Sequence, residues 1–283
     1  MEIKKLGVIG CGQMGGGIVQ VAAQAGYDVK VSEVNDALLQ KGLAVIKSNL
    51  SRNVEKARMT KDEMDATLKR IQGTTNTSDF SDRDLIIEAV VENIELKKKI
   101  FTELDKISPP NAILATNTSC LSIIDMAMMT KRADKVLGIH FFNPVPAMKL
   151  VEIVKTIATS TETTEAGKLF GEKCGKKVVF AKDSPGFIVN RLLIPFILNA
   201  IEMMDNGIAS KEDIDSGVNL GLNHPMGPLA LADLIGLDTV YFIANAIYAE
   251  LKDPRYISPP LLGKMVTAGW LGRKTGKGFY EYK

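Results

Sequence analysis

Across roughly the first 183 residues, short apolar runs alternate with amphipathic stretches. The runs at 6–9, 29–31, 85–91, 113–115 and 136–139 are only a few residues long, and they read as strands buried on both faces. Between them, 18–25 and 94–107 carry the apolar spacing of helices packed on one side. Two further strand candidates, 149–157 and 176–181, flank a helical stretch at 163–174. Strand–helix alternation of this kind predicts an α/β unit with a mainly parallel sheet covered by helices on both faces.

Residues 35–72 depart from a tight connection. Their charge-rich pattern with spaced Leu, Val and Met predicts two long helices, broken near 57–60 and projecting from the sheet as an inserted hairpin. Such length serves either binding or plain solvated decoration. At Lys182-Asp183-Ser184-Pro185-Gly186 the character of the chain changes, and a Pro-Gly turn ends the alternation. Helices are predicted at 187–207, 210–220, 226–251 and 260–269, with Ser210 and Asp213 as a cap and Pro195 as a kink. Strand-like alternation returns only at 278–282. The expected division is therefore 1–184 for the α/β domain and 185–283 for an all-helical one.

Composition narrows the function classes. A length of 283 residues fits about two domains. Lys plus Arg at 35 against Asp plus Glu at 33 leaves +2, so no global field recruits nucleic acid or a membrane surface. Cys11, Cys120 and Cys174 form no CxxC, which argues for a reducing compartment and against structural zinc. With His140 and His224 as the only histidines, no metal site is expected. The N-terminus lacks the apolar region of a secretory signal, so a cytoplasmic protein is expected. The stretch 187–204 is the most membrane-like, but Asn190, Arg191, Asn199 and Glu202 make it a buried or dimer-packing helix.

Gly10-Cys11-Gly12-Gln13-Met14-Gly15 follows the first strand and opens a helix. In that context the GxGxxG spacing is a dinucleotide phosphate loop: a tight turn, a close backbone approach for pyrophosphate, and close helix–sheet packing. The helix N-terminus adds N–H donors and a positive dipole end. Glu33 stands 23 residues beyond Gly10 at the end of the second strand. A carboxylate there accepts from both ribose hydroxyls and repels a 2′-phosphate, which selects NAD over NADP.

Four polar clusters follow: Asn117-Thr118-Ser119, Gly138-Ile139-His140-Phe141-Phe142-Asn143-Pro144, Val151-Glu152-Ile153 and Gly186-Phe187-Ile188-Val189-Asn190-Arg191. With the terminal Gly272-Arg273-Lys274-Thr275-Gly276-Lys277-Gly278-Phe279-Tyr280, the chain resembles the 3-hydroxyacyl-CoA dehydrogenase family over essentially its whole length. The resemblance implies a Rossmann-like NAD domain, a helical C-terminal domain for substrate and dimerisation, and an acyl-CoA substrate. It implies interconversion of a short-chain (S)-3-hydroxyacyl-CoA and the 3-ketoacyl-CoA by a homodimer. It makes His140 the general base, with Glu152 at its far nitrogen, and puts Ser119 and Asn190 on the reacting group. Glu92, Lys97, Ser119, Asn143 and Lys274 match cofactor positions, and Lys56 in the hairpin matches a basic residue near coenzyme A. Cys120 departs from the pattern by replacing a second serine.

The residue types suit the chemistry independently. Removing hydride from a secondary alcohol requires its O–H proton to leave, and imidazole exchanges protons near neutral pH. A carboxylate on the other ring nitrogen fixes the tautomer and stabilises the imidazolium. Ser and Asn orient the oxygen, or polarise a ketone in reverse, without titrating. His224, in a Pro-Gly-rich turn, receives no chemistry. Two rival readings share the plan. One is a dehydrogenase of free 3-hydroxy acids, which relies on lysine instead of a His–Glu pair. The other is a non-catalytic crystallin-type NAD-binding protein, against which the intact polar set speaks.

Overall fold

A computed structural model describes residues 2–282 and divides the chain into two compact units, 1–184 and 185–283. In the first unit an eight-stranded sheet is built from β1 (Lys5–Ile9), β2 (Asp28–Ser32), β3 (Ile71–Thr74), β4 (Leu85–Glu88), β5 (Ile113–Thr116), β6 (Val136–Phe141), β7 (Leu150–Lys155) and β8 (Lys177–Lys182). Their order is β3-β2-β1-β4-β5-β6-β7-β8. All neighbouring pairs are parallel except β6 and β7. Every residue of β4, β5 and β6 is buried, as expected where helices cover both faces of a sheet. The apolar runs therefore mark central strands.

The covering helices are α1 (Gln13–Gln24), α2 (Asp36–Glu55), α3 (Lys61–Lys69), α4 (Ile94–Ile107), α5 (Ile123–Ala127) and α6 (Thr161–Lys173). Short polar side chains start several of them. Asn35 accepts from the Leu38 N–H at 2.9 Å, and Asn93 accepts from the Leu96 N–H at 3.0 Å. Thr60 and Glu63 close a reciprocal capping box at α3.

The hairpin differs from expectation. Its second helix has only nine residues, and the pair leads into β3, so it forms the crossover from β2 to a third parallel strand. Leu39, Ile46, Leu50 and Met64 are buried in the same core as α1 and the sheet. The hairpin thus packs down onto the domain instead of projecting from it. The strand itself escaped notice because Ile71-Gln72-Gly73-Thr74 lies at the half-exposed edge and has no apolar run.

The second unit is helical: α7 (Val189–Asp205), α8 (Lys211–Gly221), α9 (Pro228–Ile235), α10 (Leu237–Leu251) and α11 (Pro260–Thr267). Helix α7 continues through Pro195. The helix expected over 226–251 is two helices bent by 96° at Gly236, whose φ of +102° no helix accommodates. Their inner faces, including Leu229, Leu237, Val240 and Ile247, form the core of this unit. Among the described residues no single helix is long and apolar enough to cross a membrane. The end of the chain forms isolated bridges, Gly272 to Lys277 and Lys277 to Glu281, in place of a strand.

Two buried carboxylates hold this unit together. Asp215 accepts from the Leu229 and Ala230 N–H groups at 2.8 and 2.9 Å, capping α9 from α8. Asp233, 1% exposed, accepts from the Phe279 and Tyr280 N–H groups at 2.9 Å each and from the Tyr282 hydroxyl at 2.9 Å. Asp233→Ala would strand the buried Phe279 N–H and the half-buried Tyr280 N–H. The expected loss is about 2–4 kcal/mol in urea unfolding followed at the helical unit. A loss below about 0.5 kcal/mol, the range of ordinary surface substitutions, would contradict this role.

Candidate active site

Loops that leave parallel strands at their carboxyl ends gather along one edge of the sheet, and the order reversal at β1 opens a crevice there. The glycine loop follows β1 at that point. Gly10 has a φ of +95°, and its N–H donates to the Ser32 carbonyl at 2.8 Å, tying the loop to β2. A Cβ at Gly15 would overlap the Gly10 carbonyl oxygen, whereas a Cβ at Gly12 would meet nothing within 4 Å. Gly12 is also the N-cap of α1 and supplies no side-chain cap. The open cradle before Gln13 and Met14 thus faces uncapped N–H groups, and a pyrophosphate fits it.

Glu33 is fixed against this loop. Its Oε1 accepts from the Cys11 N–H at 2.7 Å, and its Oε2 accepts from the Val34 N–H at 3.2 Å. The carboxylate thereby stands at the end of β2 with acceptor capacity for ribose hydroxyls. Burial, and then the charge of Glu33, push the Cys11 thiol up to about 11. The thiol remains neutral, so it adds no negative charge beside the phosphate cradle.

Beneath the same edge lies a buried ion-pair network. Glu88, the last residue of β4, is fully buried, and Lys97 in the first turn of α4 is 1% exposed. The Lys97 Nζ lies 2.6 and 2.8 Å from the two Glu88 oxygens and 3.2 Å from Glu92 Oε2. Glu88 also accepts from the Val90 N–H and the Thr116 hydroxyl, each at 2.7 Å. Glu92 Oε1 accepts from the Thr118 hydroxyl at 2.9 Å and the Ser119 N–H at 2.7 Å. One ammonium between two carboxylates therefore pins the ends of β4 and β5 and sets the backbone of Ser119. Lys97 sits below the rim with its charge engaged, while Glu92 and half-buried Ser119 form the rim. Sequence reasoning missed Glu88, which hides inside the apolar run 85–91.

The third part depends on strand direction. Because β7 runs antiparallel to β6, His140 and Glu152 are directly opposed in register and share one face. His140 Nδ1 lies 2.6 Å from Glu152 Oε2, with the residues 3% and 0% exposed. Asn117 Oδ1 accepts from the Phe141 N–H at 2.9 Å, joining the end of β5 to β6. The Phe142 ring packs against the imidazole with 4.6 Å between centroids. Asn143 follows, exposed, at a cis peptide bond to Pro144.

Three further candidates complete the set. Lys56 closes α2 and is exposed at the turn into α3, with Arg52 and Arg58 nearby. In the second unit, Asn190 is the second residue of α7 and 8% exposed. Lys274 pairs with both oxygens of Asp238 at 2.6 Å.

Family models agree with this division. The model for the 3-hydroxyacyl-CoA dehydrogenase NAD binding domain matches residues 5–184, and that for the C-terminal domain of the same enzymes matches 186–282. The chain is 49% identical over 281 residues to the 3-hydroxybutyryl-CoA dehydrogenase of Bradyrhizobium diazoefficiens, covering 99% of this chain and 96% of that protein. Among solved structures, FadB2 of M. tuberculosis superposes with a TM-score of 0.98 at 47% identity, covering 100% of both chains. The (S)-3-hydroxybutyryl-CoA dehydrogenase PaaH1 of Ralstonia eutropha gives 0.96 at 45% identity, also covering 100% of both.

The network beneath the rim makes a specific prediction. Lys97→Met leaves Glu88 as an uncompensated buried charge and should cost about 3–5 kcal/mol in urea unfolding. The double variant Glu88→Gln, Lys97→Met leaves only the half-buried Glu92 without its cation and should be more stable than Lys97→Met alone. A double variant less stable than the single one would show that the pair is not held as buried ions.

Proposed function

The chain belongs to the 3-hydroxyacyl-CoA dehydrogenase family, and we propose that it interconverts (S)-3-hydroxybutyryl-CoA and acetoacetyl-CoA, with His140 moving the proton. The observation that carries this reading is the buried 2.6 Å contact of His140 with Glu152 on the sheet edge where the glycine loop also opens. NAD, held at Gly10, Cys11, Gly12, Gln13, Met14, Gly15 and Glu33, supplies the hydride acceptor in oxidation and its donor in reduction. The chain's own residues do the rest.

In oxidation, His140 Nε2 takes the hydroxyl proton of the substrate. In reduction it returns that proton to the carbonyl oxygen. Glu152 holds Nδ1 and stabilises the charge that the ring gains, in a site too buried for water to screen it. Ser119, whose backbone is set by Glu92, presents its hydroxyl to the same oxygen. For Asn190 on the reacting group, and for Asn143 and Lys274 on the cofactor, the support is the family pattern. Lys56 is assigned to the phosphates of coenzyme A, where an exposed cation suits a charged, mobile ligand. The helical unit is assigned to self-association as a homodimer, supported by the exposure of Leu192 on α7 and of Leu220 and Leu222 beyond it.

The assay is NADH oxidation with acetoacetyl-CoA. His140→Gln should lower kcat by about 10²- to 10⁴-fold, as loss of a general acid–base group does. Glu152→Gln should lower it less, and NADH affinity should survive both changes. The unsubstituted enzyme should prefer NADH over NADPH, because Glu33 opposes a 2′-phosphate. Near-normal kcat in His140→Gln would overturn the proton role, and a preference for NADPH would overturn the assignment of Glu33.

A further inference from the structure

Between β6 and β7 the chain makes an irregular loop over residues 142–149, which carries Phe142 and Asn143 at its start. Few of its backbone groups pair within it. The Ala147 and Met148 N–H groups both donate to the Pro144 carbonyl, at 3.0 and 3.1 Å. The carbonyls of Val145 and Met148 point instead to one ammonium, that of Lys176, just ahead of β8. Lys176 Nζ donates to Val145 O at 2.6 Å and to Met148 O at 2.7 Å, and the residue is 8% exposed. Among the described residues no carboxylate lies within ion-pair distance of it.

A buried lysine without a counterion carries a desolvation penalty that carbonyl dipoles offset only in part. Burial accordingly holds its pKa below the ordinary lysine range. The titratable group nearest in effect is the Cys174 thiol, itself pushed up to about 12 by burial and so neutral. A methionine would fill this space without that penalty, so the space alone does not account for a lysine. Two loop carbonyls with no strand partner, one of them on buried Val145, do account for it.

The other side of the loop is equally constrained. Val145 is 1% exposed in the domain core, and a Cβ at Gly17 would stand 2.7 Å from the Val145 Cβ. Gly17 lies in α1, the helix that opens at the glycine loop. The segment is therefore clamped between α1 and the Lys176 ammonium, with Phe142 packed on His140 at its entrance.

We propose that Lys176 is a positioning residue for the dehydrogenase reaction, pinning the 142–149 loop so that Phe142 stays packed on His140 and Asn143 keeps its place at the start of the loop. The proposal rests on the reaction read above. The Lys176 ammonium is engaged by the two loop carbonyls, and it acts through the loop it holds. Displacements of about 1 Å at a reacting centre cost on the order of 10²-fold in rate.

Two variants test it. Lys176→Met keeps the length of the side chain and removes its donors, and Lys176→Gln keeps amide donors without charge. In Lys176→Met, kcat with acetoacetyl-CoA and NADH should fall about 10- to 100-fold, while both KM values stay within about threefold of the unsubstituted enzyme, the split expected when transition-state geometry alone is lost. Lys176→Gln should fall between the two. Hydrogen–deuterium exchange followed by mass spectrometry should show faster exchange in peptides spanning 142–149 and unchanged exchange in β1, α1 and β5. Should Lys176→Met fail to fold, Lys176→Gln is read by the same criteria. Unchanged kcat and exchange would overturn the proposal. So would faster exchange throughout residues 5–184, which marks a merely structural role. The exchange measurement needs no substrate. An unsubstituted enzyme inactive on acetoacetyl-CoA would therefore count against the assigned reaction, and unchanged loop exchange against the clamp.

Discussion

The reversal of one strand governs the site. In a purely parallel sheet the carboxyl edge is furnished only by the ends of strands and the loops that follow them, because the strands all run the same way. Here β7 turns back along β6, so a residue from within a strand, Glu152, comes to lie opposite His140 at hydrogen-bonding distance. Both belong to a hydrogen-bonded ladder, and neither can shift register without moving its whole strand to the wrong face. A carboxylate with no exposed surface is tolerated only where a partner compensates it, and the imidazole is such a partner. The rigidity of the pair and the need for the pair are one constraint.

The same rule recurs one layer below. Glu88 and Lys97 are buried, and together with Glu92 they join the ends of β4 and β5 to the first turn of α4. Lys176 is the counterpart for the loop beyond β6, with carbonyl oxygens in place of carboxylates. The edge that carries the proposed site is thus supported by buried and half-buried charged groups. Low surrounding dielectric makes their contacts strong and their loss costly.

Much of this was legible in the chain. The apolar runs mark β1, β4, β5 and β6 because buried parallel strands tolerate few polar residues. The glycine loop is legible because its spacing follows from backbone clearance, which the overlap at Gly15 and the open space at Gly12 display. Edge strand β3 was not, since a half-exposed strand of four residues leaves no periodic signal. The bend at Gly236 was hidden within a continuous apolar pattern that both α9 and α10 need for their shared core. Glu88 and Lys176 were not legible, for different local reasons. A single glutamate inside an apolar run reads as a strand end, and a lysine followed by Lys177 after Gly175 reads as a solvated strand start; only tertiary structure shows that each is buried and what it holds. His140 and Glu152 were paired through family resemblance, and the register now supplies a physical reason for the pairing.

The central claim is that Glu152 acts through His140. A double-mutant cycle in kcat tests it most directly, comparing His140→Gln, Glu152→Gln and the variant carrying both. If Glu152 serves only to orient and stabilise the imidazole, removing its charge should change kcat by no more than about twofold once His140 is gone. A double variant slowed by the product of the two single losses would show that the residues act independently, and would contradict the account.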